Sequence, residues 1–290
     1  MTAGKGMDKT LSEAYAFCRS LAVRHYENFP VGRFGVPLPL RRHIHAIYAF
    51  ARVADDFADE PKWEGERLKQ LEDWETKLEK CPSSADDPVF LALGDTIREL
   101  ALPMEPFRDL LSAFRQDSVK QRYDSWEEVL DYCRRSANPV GRLVLAVTGY
   151  RDADLWPMSD ALCTALQLTN FWQDFSVDHP RGRCYIPARE ASRLGVDVEL
   201  LVRGMPSGDV AGLLGWLFWK TRDLYAGSHS LPGRLHGMMR VEIAATWHGG
   251  SAILARTEKL REKSLKVRPR ISGIDKLAIV SRSLLEGLLP

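Results

Sequence analysis

The sequence predicts an all-α protein, and three observations carry that prediction. Apolar residues recur at three- and four-residue spacing through most of the chain, Pro and Gly mark the breaks, and no segment is β-rich. The 290 residues, 45% hydrophobic, suffice for a large core. Without a repeat, low-complexity tract or long linker, the expected organisation is a flexible tail at 1–10 followed by one all-α domain at 11–290.

The elements follow in order. Leu11 to Tyr26 reads as an amphipathic helix, ended by the Pro/Gly-rich connector Phe29 to Pro39. Leu40 to Glu60 is a helix with Pro61 just beyond it. Glu64 to Lys80 alternates charge around Leu68, Leu71, Trp74 and Leu78, as a solvated helix with one packed face does. A turn from Cys81 to Pro88 leads to helices at about 89–100 and 105–120. Ser125-Trp126-Glu127-Glu128 is an N-cap pattern opening a helix to Gly149, with a kink expected at Pro139. Asp160 to Asp178 forms the next helix, and later ones fall at about 189–195, 209–227, 230–262 and 272–288.

Forty basic against thirty-nine acidic residues give a charge of +1, which argues against a general nucleic-acid binder. Five cysteines, an odd number without a CxxC pair, argue against a zinc site or disulfide framework and fit a reducing cytoplasm. The first residues lack an apolar core, so no signal peptide is expected. The longest apolar stretch, roughly Val210 to Trp219, falls short of the ~20 residues of a membrane span. A cytoplasmic protein is expected, with room for peripheral contact at the inner membrane face.

Two acidic patches are the most informative feature: Asp55-Asp56-Phe57-Ala58-Asp59 and Asp174-Phe175-Ser176-Val177-Asp178. Carboxylates at i and i+4 share one helix face and repel by about 0.2–0.5 kcal/mol. In an apolar setting an unpaired carboxylate costs several kcal/mol more, so a cation is expected between them. Mg²⁺ takes oxygen ligands, usually a few carboxylates plus substrate phosphates. Two such helices facing each other could hold several ions, with Asp55, Asp56, Asp59, Asp174 and Asp178 as ligands and Asn170 extending the second stripe. Tyr48 and Arg52 share the first stripe, and Arg181-Gly182-Arg183-Cys184-Tyr185 follows the second. Arginine forks suit phosphate oxygens, so these residues describe a diphosphate site. The alternative is that Arg52 and Arg183 simply neutralise Asp55 and Asp178 as structural ion pairs. Phe29, Phe50, Leu143, Phe171, Trp172, Trp216 and Trp219 are core candidates that would together allow an apolar cavity between helices.

The runs Tyr48 to Asp59, Gln167 to Asp178 and Gly182-Arg183-Cys184-Tyr185-Ile186-Pro187 resemble the squalene/phytoene synthase family, a likeness spanning about residues 15–260. The resemblance implies an isoprenoid synthase fold, a helical bundle around a central apolar cavity. It also implies Mg²⁺, as several ions bridged by diphosphate, and head-to-head prenyl diphosphate chemistry. Within the family, His25 to Val31, Phe114-Arg115-Gln116-Asp117 and Tyr132 to Arg142 are similar to bacterial members that form hydroxysqualene in a hopanoid-linked route. That likeness implies ionisation of presqualene diphosphate, rearrangement of the cyclopropylcarbinyl cation and capture by water, without NADPH. It also implies room for hand-off of the substrate from a separate presqualene diphosphate synthase.

Departures from the broader family point the same way. Val177 stands where a glutamate is common, Arg135 where squalene synthases have tyrosine, Asn138 where they have glycine, and Gln173 where condensing members carry arginine. By position, Tyr48, Arg52, Arg183 and Tyr185 orient the diphosphate, with His25 and Gln167 assisting and Phe29 and Ser136 also touching substrate. The Ser136-Ala137-Asn138-Pro139 kink is the candidate water-capturing region, because Pro139 frees a backbone carbonyl and Asn138 can hold a water. The alternative there is a packing kink. Rival functions are presqualene diphosphate synthase, a squalene, dehydrosqualene or phytoene synthase, and a non-catalytic scaffold of the same family.

Overall fold

The structure is a computed structural model that describes residues 9–24, 35–81, 83, 86–270, 272–273 and 279–284. The chain divides into two units, one running to Ser118 and including Leu143–Arg151, the other comprising Val119–Arg142 and the residues from Asp152 onward. Both are helical, and among the described residues the β-structure is one isolated bridge, Tyr123 to Pro187. No helix of the described residues is long and apolar enough to cross a membrane. The five cysteines are free.

In the first unit, α1 (Lys9–Arg24), α2 (Arg41–Asp59), α3 (Arg67–Lys80), α4 (Pro88–Leu100) and α5 (Glu105–Asp117) pack around α2. Phe50 is the pivot: its ring stacks on Trp74 and meets Phe90 and Phe107 edge-on, at centroid distances of 6.2, 6.1 and 5.6 Å. Such geometries suit the ring quadrupoles, and all four side chains are buried. Trp74 Nε1 donates to the Phe50 carbonyl at 3.3 Å, so the one polar atom of that ring is satisfied. Asp87 caps α4 by accepting from Val89 N at 2.9 Å, with Pro88 at the first helical position. Beneath α1, Tyr15 donates to Asp95 at 2.8 Å and His43 Nδ1 meets Thr96 Oγ1 at 2.9 Å.

In the second unit, α6 (Trp126–Ser136) carries the expected cap: Ser125 accepts from Glu128 N, and Glu128 returns a carboxylate to Asp124 N at 2.7 Å. At the expected kink α6 stops at Ser136 and α7 (Asn138–Val147) follows after Ala137 alone, whose φ of −115° departs from helical values while its N–H still bonds to the Cys133 carbonyl at 2.9 Å. The core is α8 (Trp156–Gln173), α12 (Val210–Ser228) and α13 (Gly237–Leu260). Trp172 Nε1 donates to Thr221 Oγ1 at 2.9 Å, and Thr169 meets the Tyr225 hydroxyl at 3.0 Å. Gly250 lets α13 press against this layer, since a Cβ there would lie 2.2 Å from Tyr225 Oη. Three short helices, α9 (Phe175–Asp178), α10 (Ala188–Arg193) and α11 (Val198–Val202), complete the unit.

Several expected boundaries move. Helix α1 starts at Lys9, inside the expected tail, and α13 starts at Gly237 rather than 230, because Pro232–Arg234 forms a 3-10 turn first. The helix expected at 272–288 lies largely outside the described residues, of which 279–284 are helical. Trp219 is a correction: it is 53% exposed, not core, with the Lys220 ammonium over its ring. Its helix has no charged residue from Val210 to Trp219, so nothing in that stretch marks the outward side and one bulky residue faces it.

Candidate active site

Asp55, Asp56 and Asp59 occupy the C-terminal end of α2, where free carbonyls already concentrate negative charge and no basic side chain sits in the last turn. Arg52, one turn earlier, donates through Nη1 to Asp55 at 3.1 Å and through Nη2 to Asp56. Its Nε is buried without a hydrogen-bond partner, an orphan donor beside the acids. Tyr48 lies a further turn back; burial pushes its phenol pKa up, Arg52 opposes, and Asp55 and Asp56 reinforce, so it stays a protonated donor.

The second patch is built differently from expectation. Helix α8 ends at Gln173, and Asp174, at φ −99° and ψ 8°, breaks it before the single turn of α9. The i, i+4 relation survives because Asp178 N donates to the Asp174 carbonyl at 2.9 Å. Arg268 forks onto the Asp174 carboxylate, with Nη2 at 3.0 Å from Oδ2 and Nε on Oδ1. Burial first, then the Asp174 charge, push the Asp178 carboxyl up to about 6, while Arg183, Arg181 and Arg268 pull it down. Asn170 is exposed on the last turn of α8, and its carbonyl accepts from Asp174 N at 2.8 Å.

Beyond α9 the chain turns at Gly182, whose φ of +83° is a conformation glycine accepts without strain. The turn returns Arg183 N to the Asp178 carbonyl at 3.1 Å. Residues 182–188 then run beside 121–124, with Cys184 N on the Gln121 carbonyl and Ala188 N on the Tyr123 carbonyl, each at 3.0 Å. This pairing seats Tyr185 in an aromatic group, stacked 3.6 Å from Phe171 and flanked by Tyr123 and Tyr132.

At the α6–α7 break, the Ser136 hydroxyl is buried without a partner. Asn138 is buried, and its Oδ1 accepts from Thr164 at 2.9 Å, which leaves the amide nitrogen as the group to consider for water. Gln167 is half-buried on α8. His25 and Phe29 lie outside the described residues. The structure thus groups Tyr48, Arg52, Asp55, Asp56 and Asp59 on one helix of the first unit. It groups Asn170, Asp174, Asp178 and Arg183 along one stretch of the second.

No three Asp, Glu, His or Cys side chains among the described residues converge as a metal cage. The donor set nonetheless suits Mg²⁺: it is hard and all-oxygen, it lies where helix dipoles add to the negative charge, and it includes a carboxyl raised toward neutrality by burial and by the Asp174 charge. Sequence reasoning missed Arg268 and the tie at Gln173, whose buried amide donates to the Pro269 carbonyl at 2.8 Å. The one available signal was the basic run Lys263 to Arg270, about 90 residues after the acidic motif.

Residues 22–275 match the family model described as Squalene/phytoene synthase. A hydroxysqualene synthase of Sinorhizobium fredii is 35% identical over 262 residues, covering 89% of this chain and 88% of that protein. A phytoene synthase of Arthrospira platensis is 30% identical, over 80% of this chain and 79% of its own. Among solved structures, squalene synthase HpnC from Alicyclobacillus acidocaldarius superposes with a TM-score of 0.81 at 36% identity, covering 89% of this chain and 97% of that one. The all-α reading and the isoprenoid synthase fold are borne out by these matches.

Proposed function

The chain belongs to the squalene/phytoene synthase family, and from that premise we propose that it converts presqualene diphosphate and water into hydroxysqualene and diphosphate. The observation that carries the proposal is the doubled carboxylate–arginine pattern: Asp55 and Asp56 with Arg52, and Asp174 with Arg268. Acids needed only for solubility have no reason to sit at helix C-termini beside arginines with spare donors, which also speaks against a scaffold. Mg²⁺ at each patch, held by Asp55, Asp56 and Asp59 on the first and by Asp174, Asp178 and Asn170 on the second, directly or through water, would supply the charge that draws off the diphosphate.

The protein's own groups do the rest. Tyr48, Arg52, Arg183 and Tyr185 hold phosphate oxygens, and the orphan Nε of Arg52 is a donor already desolvated for that task. The aromatic group of Phe171, Tyr132 and Tyr185 would give a carbocation passing its edge a polarisable wall in place of water. Ser136 and Asn138 place one water, while the apolar surroundings exclude others. Gln173 supports a single-substrate reaction: it is buried and tied to Pro269, so the arginine of condensing relatives would put an unpaired charge there. The substrate arrives from a separate presqualene-forming enzyme, at or near a membrane.

The phytoene synthase likeness favours a second reading, head-to-head condensation of two prenyl diphosphates. Purified protein with Mg²⁺ would be given farnesyl diphosphate alone, geranylgeranyl diphosphate alone, and presqualene diphosphate alone, without NADPH. Consumption of only the last supports hydroxysqualene formation. Turnover of either linear diphosphate by itself would overturn it, and a need for NADPH would redirect it to squalene.

A further inference from the structure

A cavity of about 510 Å³ in the second unit lies away from both acidic patches in sequence, lined from His229 to His248. It forms where α12 ends, the 3-10 turn Pro232–Arg234 reverses the chain and α13 begins. Two guanidiniums, Arg234 and Arg240, and two imidazoles, His229 and His248, line it, and no acidic side chain does. Arg240 is half-buried, and no carboxylate among the described residues pairs with it. A partly desolvated guanidinium without a counter-charge is costly, so Arg240 is not there to neutralise an acid. Arg234 pairs with Asp152 at 3.4 Å, but both side chains are about half exposed, at 48% and 55%, and such a pair yields readily to a stronger anion.

The wall is held in place before any ligand arrives. Trp247 donates through Nε1 to the Tyr225 carbonyl at 2.9 Å and meets the His229 ring edge-on at 5.1 Å. The Ser230 hydroxyl at the rim spends its proton on the Met158 sulfur at 3.1 Å, a weak acceptor it can exchange. Arginine forks, imidazoles and a hydroxyl around one cavity match the oxygens of a phosphate better than a carboxylate alone would.

We propose that the cavity walled by His229, Arg234, Arg240, Trp247 and His248 is a second anion site that takes a phosphate-bearing group, either a lipid headgroup or free diphosphate. It is independent of the acidic patches and of the reaction assigned to them.

The test uses the full chain in EDTA, so that no metal holds diphosphate at the carboxylates. One arm titrates inorganic diphosphate by calorimetry; the other sediments the protein with vesicles of phosphatidylglycerol and phosphatidylcholine in equal parts. The variants are R240Q, R234Q/R240Q and, as a control with the same change of charge, K259Q/K263Q at exposed lysines. Binding in at least one arm is expected, weakened roughly 10-fold or more in R234Q/R240Q, as for loss of charge-assisted hydrogen bonds. R240Q should fall between, with unchanged helical circular dichroism, and the control should bind as the wild type does. Binding in the diphosphate arm alone assigns a free phosphate, in the vesicle arm alone a headgroup. The proposal is overturned if the wild type binds neither probe at millimolar concentration, if R234Q/R240Q binds normally, or if the control weakens equally.

Discussion

Asp178→Asn exchanges a half-buried carboxylate, one turn beyond Asp174, for a neutral group of the same size, and should raise the stability of the metal-free protein at neutral pH. Burial and the Asp174 charge push this carboxyl from its ordinary 3.8 up to about 6. Between those values the folded chain keeps a proton that the unfolded chain has released, so stability falls as pH rises through the window. Above the window the ionised folded state carries the whole penalty, ~3 kcal/mol if none of it is screened. Water at the half-exposed side chain reduces this to ~1–2 kcal/mol. Asparagine escapes it. By thermal melts in EDTA, the variant should gain ~2–6 °C at about pH 7 and almost nothing at about pH 4, where the native carboxyl is already protonated. Melting at or below wild type at neutral pH, or an equal gain at both pH values, would refute the electrostatic picture of the second patch.

Asp55→Asn and Asp174→Asn should each lower turnover by about 100-fold or more while leaving the helical circular dichroism unchanged. Near-normal rates in both would remove the carboxylates from the mechanism. Burial lowers the pKa of His43, reinforced by Arg42 and opposed by Glu99 and Asp95, so the folded chain holds it neutral. The unfolded chain protonates first as pH falls below 6.5, and stability is lost there; urea midpoints for His43→Gln should show a shallower acid decline than wild type. Gly94→Ala would place a Cβ 2.1 Å from the Cys81 carbonyl oxygen, a backbone atom that cannot step aside. A loss of ~1–3 kcal/mol in urea unfolding is expected, and no loss would mean that α4 is packed more loosely than described.

Helix α2 was legible because Phe50, Ala54 and Ala58 keep one apolar stripe and Pro61 stops it. The cap at Ser125 was legible for the same reason, since its bonds run to near neighbours. The break at Asp174 was not: Phe171 and Phe175 continue the helical period across it, so periodicity cannot register the change in φ and ψ. Arg268 was hidden by distance, because a partner 94 residues from Asp174 leaves no local pattern. Trp219 misled because α12 has no charged residue from Val210 to Trp219, and hydrophobicity alone then assigns no face. The first patch shares one helix, as its spacing implied, and Arg52, expected on either phosphate or acid, bonds to Asp55 and Asp56.

Mass analysis of the product formed from presqualene diphosphate, Mg²⁺ and water labelled with oxygen-18 tests the central claim most directly. A C–OH product carrying the heavy oxygen, released together with diphosphate, is the predicted result. An unlabelled alcohol, or a hydrocarbon without oxygen, would contradict capture of the cation by water.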